Sequence, residues 1–252
     1  MEIKGNRVNF EYNAIKVPEG HMKISPSQIA KFFNYPSLWY KDNFTDAEGF
    51  TGNTATELGT IVHACAETVA LNETVNRDEI DDYIDSIDNE DVDKAEIRKH
   101  WYEMSHLLIN EYVLKNVPDL VEHSTQLDLG DKISLAGTLD SYYNNGVVTD
   151  YKTKGSKPKT DAIPWEYWVQ LMAYAKMLKE EGKEVNRLRI VWIVKPTKTL
   201  PARLFVVNHE ISDKDWKEFD DVLTIMVDTI KLTRSNPEYI HILYKSMNLK
   251  DN

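Results

Sequence analysis

The chain has 252 residues, with 41 acidic against 30 basic side chains and a formal net charge of −11. Apolar residues make up 42%, too many for a disordered chain and enough for one large domain or two small ones. No run of about 18 apolar residues exists, so a membrane-spanning helix is excluded, and the single cysteine, Cys65, excludes an internal disulfide and a cysteine-ligated cluster. Met1 to Asn13 lacks the apolar stretch of a secretory leader, and a reducing, cytoplasmic setting is the natural expectation.

In chain order, Ser25-Pro26-Ser27-Gln28 is a capping box with proline at the first helical position, and Ile29, Phe32 and Phe33 follow at helical spacing. A helix is expected from about Pro26, stopping before Pro36. Residues 38–54, with Gly49, Gly52 and Asn53, read as a loop. From Thr56 to Leu71, Leu58, Ile61, Val62, Cys65, Ala66 and Val69 recur with the helical period. A short helix is expected in the acidic segment that follows, then a longer one over about 91–115, ended by Pro118.

The period then changes to two. Residues 120–129, 132–139 and 146–152 read as strands, joined by turns at Gly130-Asp131 and Asn144-Asn145-Gly146. Trp165 to Glu181 is helical and stops at Gly182. Arg189–Val194 and Arg203–Val207 suit strands, and Asp213 to Leu232 a last long helix. The order predicts a mixed α/β fold with a helical N-terminal part. No repeat and no Gly/Ser/Pro-rich linker divides it.

A strongly negative chain would ordinarily avoid nucleic acid. Here the charge is concentrated: residues 73–96 hold eleven acids against Arg77 and Lys94. That segment reads as a solvated helical face, since it lacks the spacing and glycine of a calcium loop. Lys152, Lys154, Lys157 and Lys159 instead fall within eight residues. Local basicity of this kind matters more for binding than the sum over the chain.

The chemically informative stretch is Gly137-Thr138-Leu139-Asp140, followed ten residues on by Asp150-Tyr151-Lys152. Asp140 is expected at the end of one strand and Asp150 in the next, across a hairpin. Antiparallel neighbours lie about 5 Å apart, so both carboxylates can share a cation. Period two places Asp150 and Lys152 on one face. Two carboxylates and a lysine suit phosphodiester hydrolysis: the carboxylates hold a hard cation, and the lysine orients water or offsets developing charge.

The pattern Glu122, Gly137-x-x-Asp140, Asp150-x-Lys152 and Gln170-x-x-x-Tyr174 resembles the RecB-like branch of the PD-(D/E)XK nucleases. Gly59-Thr60-Ile61-Val62-His63 matches the upstream frame that gives this branch a metal-ligand histidine. Ile24 to Ile29 resembles its N-terminal helix start. The resemblance covers about residues 24–207. It implies a restriction-endonuclease-like mixed central sheet flanked by helices in one nuclease domain, 1–252. Within it, residues 1–118 form a helical part supplying the histidine, 119–210 the catalytic sheet core and 211–252 a C-terminal helical part.

It also implies one or two Mg²⁺ or Mn²⁺ ions held by His63, Asp140, Asp150 and Glu122. Lys152, Asp140, Asp150, Gln170 and Tyr174 take the catalytic roles. Lys154, Lys157 and Lys159, with Trp165 and Trp168, are candidates for DNA contact, although tryptophans on such a helix more often pack in the core. The expected activity is a deoxyribonuclease, an exonuclease before an endonuclease. It would act on DNA ends or single strands in recombination, repair or phage replication, with a recombination or replication protein as a candidate partner. The setting would be bacterial cytoplasm, for a host or phage protein, with no membrane partner. The iron–sulfur members of the family carry a cysteine before the proline that follows the first helix; Tyr35 stands there, and no iron–sulfur cluster is expected. The rival is a nuclease-like module that holds DNA or a protein without cutting; intact Asp140, Asp150 and Lys152 speak against it.

Overall fold

The computed structural model describes residues 8, 10, 15–46 and 52–236. Among these, one six-stranded mixed sheet carries a helical layer on each face. The elements are β1 (Met22–Ile24), α1 (Pro26–Asn34), α2 (Pro36–Phe44), α3 (Thr54–Ala70), α4 (Arg77–Ser86), α5 (Lys94–Glu111), β2 (Leu120–Asp128), β3 (Ile133–Tyr143), β4 (Val147–Lys154), α6 (Trp165–Glu180), β5 (Arg187–Val194), β6 (Arg203–Glu210) and α7 (Asp213–Ser235). The expected mixed α/β fold is what the chain forms. Gly49, the residues after Asn236 and most of the first fourteen lie outside the described residues.

Two apolar clusters fix the layers. Ile29 and Phe32 of α1, Trp39 of α2, Met172 and Leu178 of α6 and Phe219 and Met226 of α7 pack with Leu188, Ile190 and Trp192 of β5 on one face. Ile61 and Val62 of α3, Ile80 and Ile84 of α4 and Ile97 and Met104 of α5 pack with Val191 and Ile193 on the other. β5 is apolar on both sides because both sides are covered.

Several boundaries differ from the expectation. Residues 36–44 form α2 rather than a loop. Pro36 starts it, and Trp39, fully buried against Phe32 and Phe44, anchors it through tertiary burial that a weak helical period did not reveal. The long helix ends at Glu111, before a 3₁₀ turn over Val113–Lys115, and not at Pro118. β1 is only three residues long, too short to show a period. β3 continues to Tyr143, so Asp140 lies inside the strand and not at its end.

The topology leaves a gap along β3. One edge pairs with β2 antiparallel over its length. The other edge takes β1 at Ile133–Leu135, in parallel, and β4 at Ser141–Tyr143, antiparallel. Between them, among the described residues, no strand pairs with residues 136–140 on that edge. A second irregularity coincides. Leu139 and Tyr142 pack into the same cluster, whereas strict alternation would put them on opposite faces. The phase therefore slips around Asp140. Opposite it in register, Glu122 adopts φ +43°, a left-handed backbone that non-glycine residues rarely take.

Candidate active site

The gap and the slip place three carboxylates in a row. Glu122 falls between the register pairs Val121↔Ser141 and His123↔Leu139, hence opposite Asp140. Asp150 is next in line beyond Ser141↔Thr149, the last pair of the β3–β4 ladder. Glu122, Asp140 and Asp150 thus stand side by side on β2, β3 and β4, where the strands part.

Asp150 is 3% exposed and well supplied with donors. Its Oδ1 accepts from Lys152 Nζ at 2.9 Å and from Gln170 Nε2 of α6 at 3.1 Å. Its Oδ2 is also 2.9 Å from Lys152 Nζ, but off hydrogen-bond alignment, and has no hydrogen-bond partner among the described residues. Asp140 Oδ2 accepts from the Tyr151 N–H at 2.6 Å and lies 3.7 Å from His63 Nδ1. The imidazole meets the Tyr151 ring edge-on, with centroids 6.0 Å apart.

Two glycines allow these approaches. A Cβ on Gly59 would lie 3.1 Å from Thr153 Oγ1, so the missing side chain lets α3 settle against β4 one turn before His63. A Cβ on Gly137 would sit 2.6 Å from Pro26 Cδ and 3.1 Å from Tyr174 Cε1. Here glycine opens the uncovered stretch of β3 to the start of α1 and to the Tyr174 ring.

Burial and like charge dominate the electrostatics. Glu122 is pushed up to about 9 by burial first, then by Asp140, Glu67 and Asp150. Burial also raises Asp140, against Lys152 and the Tyr151 N–H, and raises Asp150 to about 6 against Lys152. His63 is held at about 4, chiefly by burial and then by the Lys152 charge, so its imidazole is neutral at pH 7. Burial works against the Lys152 ammonium, but Asp150 and Asp140 outweigh it and hold its pKa above the usual lysine value. Tyr174 is raised by burial and then by the same carboxylates. Perturbed groups of both signs converging at one strand edge make this a candidate functional site.

Residues 23–239 match the family model of the PD-(D/E)XK nuclease superfamily. The chain belongs to that superfamily. An ATP-dependent helicase/nuclease subunit from Alkaliphilus metalliredigens (strain QYMF) is 28% identical over 213 residues, covering 72% of this chain; the chain matches only 18% of that protein's length. A putative exonuclease from Eubacterium rectale shares the fold at a TM-score of 0.58 and 13% identity, over 88% of each chain. An alkaline exonuclease from Laribacter hongkongensis gives a TM-score of 0.41 and 11% identity, over 89% of this chain and 94% of that one.

PD-(D/E)XK nucleases generally use divalent metals, and the donor set here fits one. Hard carboxylate oxygens and a neutral imidazole converge, and both Asp150 Oδ2 and His63 Nδ1 are buried without a hydrogen-bond partner among the described residues. Among the described residues, no three His, Cys, Asp or Glu side chains are already drawn together at ligating spacing. Asp150 turns to Lys152 and Gln170, and Asp140 to the Tyr151 amide.

The structure brings His63, Glu122, Asp140, Asp150, Lys152, Gln170 and Tyr174 together. Lys154 extends the basic strand, its Nζ 4.4 Å from the Trp192 ring centroid. Lys157 reaches Phe205 on β6 at 5.3 Å, and Lys159 is exposed. Trp165 packs edge-on to Phe33 and keeps an accessible side. Trp168 is a correction. It is 7% exposed, packs against Phe219 and donates its indole N–H to Asp215 of α7 at 3.2 Å, so it has no free face for a base. Two neighbours escaped the sequence reading. Glu67 follows His63 by four residues on one face of α3 and adds to the charge on Glu122. Tyr151 holds Asp140 through its amide and backs His63 with its ring. The i,i+4 spacing of Glu67 was visible, but only as one acid among many.

Proposed function

We propose that this chain is a metal-dependent deoxyribonuclease that removes nucleotides from DNA ends or single strands. The convergence of Asp140, Asp150, Lys152 and His63 where β3 and β4 part supports this reading most strongly. The exonuclease assignment also draws on the family resemblance and on the description of the Eubacterium rectale protein. The chain is read as one nuclease domain around the shared sheet. Recombination, repair or phage replication in bacterial cytoplasm is the proposed setting, with a recombination or replication protein as partner.

Asp140, Asp150 and His63 would hold Mg²⁺ or Mn²⁺, one ion or two, with Glu122 supporting them. A cation held there would supply Lewis-acid polarisation of the scissile phosphate. Lys152 lies 2.9 Å from Asp150 and is held charged, which suits it to orient the attacking water and to offset charge on the phosphate. Gln170 fixes the Asp150 carboxylate from α6, and Tyr174 packs over Gly137 beside it. Lys154, Lys157, Lys159 and Trp165 would take the backbone and bases of the substrate.

End-labelled single- and double-stranded DNA, beside a circular substrate, with Mg²⁺, Mn²⁺ or EDTA, tests this directly. Release of short labelled products from linear DNA, stopped by EDTA, is expected. Cutting of circles would replace the exonuclease reading by an endonuclease one. No cleavage of any substrate with either metal would overturn the enzyme.

A further inference from the structure

The α6 face above Asp150 holds a third aromatic or polar side chain besides Gln170 and Tyr174. Tyr167 precedes Gln170 by three residues and Tyr174 by seven, which puts all three on one side of the helix. Its half-buried ring stands over the basic strand. Lys152 Nζ is 5.5 Å from the ring centroid and Lys154 Nζ 5.8 Å. The ring is itself fixed by edge contact with Trp192, centroids 5.2 Å apart at 84°. We propose that Tyr167 is a positioning residue for Lys152, its ring face holding the ammonium in place for the reaction. This rests on the nuclease reading above.

The argument is one of charge. Lys152 is largely buried, its side chain 23% exposed, and Asp150 is the carboxylate that takes its hydrogen bond. In the proposed reaction Asp150 also serves a divalent cation, whose charge weakens its hold on the lysine and repels the ammonium. Asp140 also acts on Lys152, but in the same reading it is itself a ligand of the cation. An aromatic face attracts an ammonium through its quadrupole without offering an anionic ligand. Tyr167 therefore holds Lys152 in both circumstances and leaves the carboxylates to the metal. The attraction belongs to the ring and not to the phenol hydroxyl, so phenylalanine should replace it and leucine should not.

The experiment compares Tyr167→Phe, Tyr167→Leu, Lys152→Ala and the Tyr167→Leu/Lys152→Ala double variant on an end-labelled oligonucleotide at saturating Mn²⁺. Tyr167→Leu is expected to lower kcat about 3- to 30-fold, the range of a partly desolvated cation–π contact, with KM unchanged and only a small fall in thermal midpoint from the lost contact with Trp192. Tyr167→Phe restores most of kcat. In the Lys152→Ala background the leucine adds no further loss, because the group it positions is gone. A second readout needs no cleavage: in the metal-free protein with ¹³C-labelled lysine, the Lys152 ε-methylene protons should show a ring-current shift that Tyr167→Leu removes and Tyr167→Phe keeps. Equal loss in both backgrounds, a fall in thermal midpoint that accounts for the loss, or no ring-current shift would overturn this role. A wild type that cleaves nothing overturns the nuclease reading and this role with it. A wild type that cleaves while kcat ignores Tyr167→Leu overturns this role alone.

Discussion

On the α6 side of the sheet the site is built from donors. Gln170 and Lys152 both feed Asp150, and the Tyr167 ring lies within reach of the lysine. On the α3 side it is built from acceptors: His63 faces Asp140, and Glu67 adds its charge to Glu122. The first side brings its own positive charge to Asp150, whose pKa burial nonetheless raises to about 6. The second holds a neutral imidazole and carboxylates raised by burial and by like charge. One sheet edge thus joins a half that carries its own positive charge to a half that lacks it. In the proposed reading an added cation relieves most repulsion on the second side, next to Asp150, which the two sides share.

The sharpest way to break this comparison is at two neighbours on β4. Asp150→Ala should abolish both metal binding and cleavage, because the remaining donors hold a hard cation poorly. Lys152→Ala should leave Mn²⁺ binding, followed by calorimetry, nearly intact while lowering kcat by about 10²–10³, as the loss of one preorganised electrostatic partner does. Equal cleavage by the wild type and Lys152→Ala at metal saturation would remove the donor half from the chemistry.

A smaller effect is expected from the helix that carries His63. Gly59→Ala places a Cβ 3.1 Å from Thr153 Oγ1, so α3 or the threonine must move by a few tenths of an ångström. Small displacements of positioned groups cost disproportionately, and activity at limiting Mn²⁺ should fall about tenfold. Thr153→Ala removes the oxygen that would be struck. The double variant should therefore recover most of the activity, whereas a Gly59 effect arising from helix propensity would not respond to Thr153. Failure of that rescue would show that the glycine does not set the distance between α3 and β4.

How far the sequence disclosed this arrangement follows the same division. Asp150-x-Lys152 was legible because period two fixes the face of a strand, whereas Gln170-x-x-x-Tyr174 was singled out by the family resemblance, its i,i+4 spacing fixing only the face. His63 was legible through its glycine frame. Asp140 was misplaced at a strand end because β3 loses its alternation there, with Leu139 and Tyr142 sharing a face; a slipped phase looks like a terminus. The backbone of Glu122 and its closeness to Glu67 depend on that slip and on the docking of α3, and neither leaves a local pattern. α2 and Trp168 failed for a related reason: what Trp39 and Trp168 touch is decided by elements far away in the chain.

The last predicted effect is on stability, and a change at Glu122 confines it to the acceptor half. In the folded protein Glu122 binds its proton up to about pH 9, against about 4.5 for an ordinary glutamate. Asp150 behaves likewise up to about pH 6. The folded state therefore binds more protons than the unfolded state across this interval, so stability falls as pH rises. In EDTA, the thermal midpoint should decline between pH 5 and pH 9 once the rest of the chain is taken into account. Glu122→Gln isolates the contribution, because it keeps the shape and removes the charge. At pH 5 the variant and the wild type should melt close together. At pH 8.5 the variant should melt higher by several degrees, the gap widening with pH above the ordinary glutamate value. Saturating Mg²⁺ should raise the wild type more than the variant and narrow the gap, since the cation offsets the same repulsion. A variant that melts lower than the wild type at pH 8.5 in EDTA would mean that Glu122 is held by a positive partner, and the two halves of the site would not differ as described.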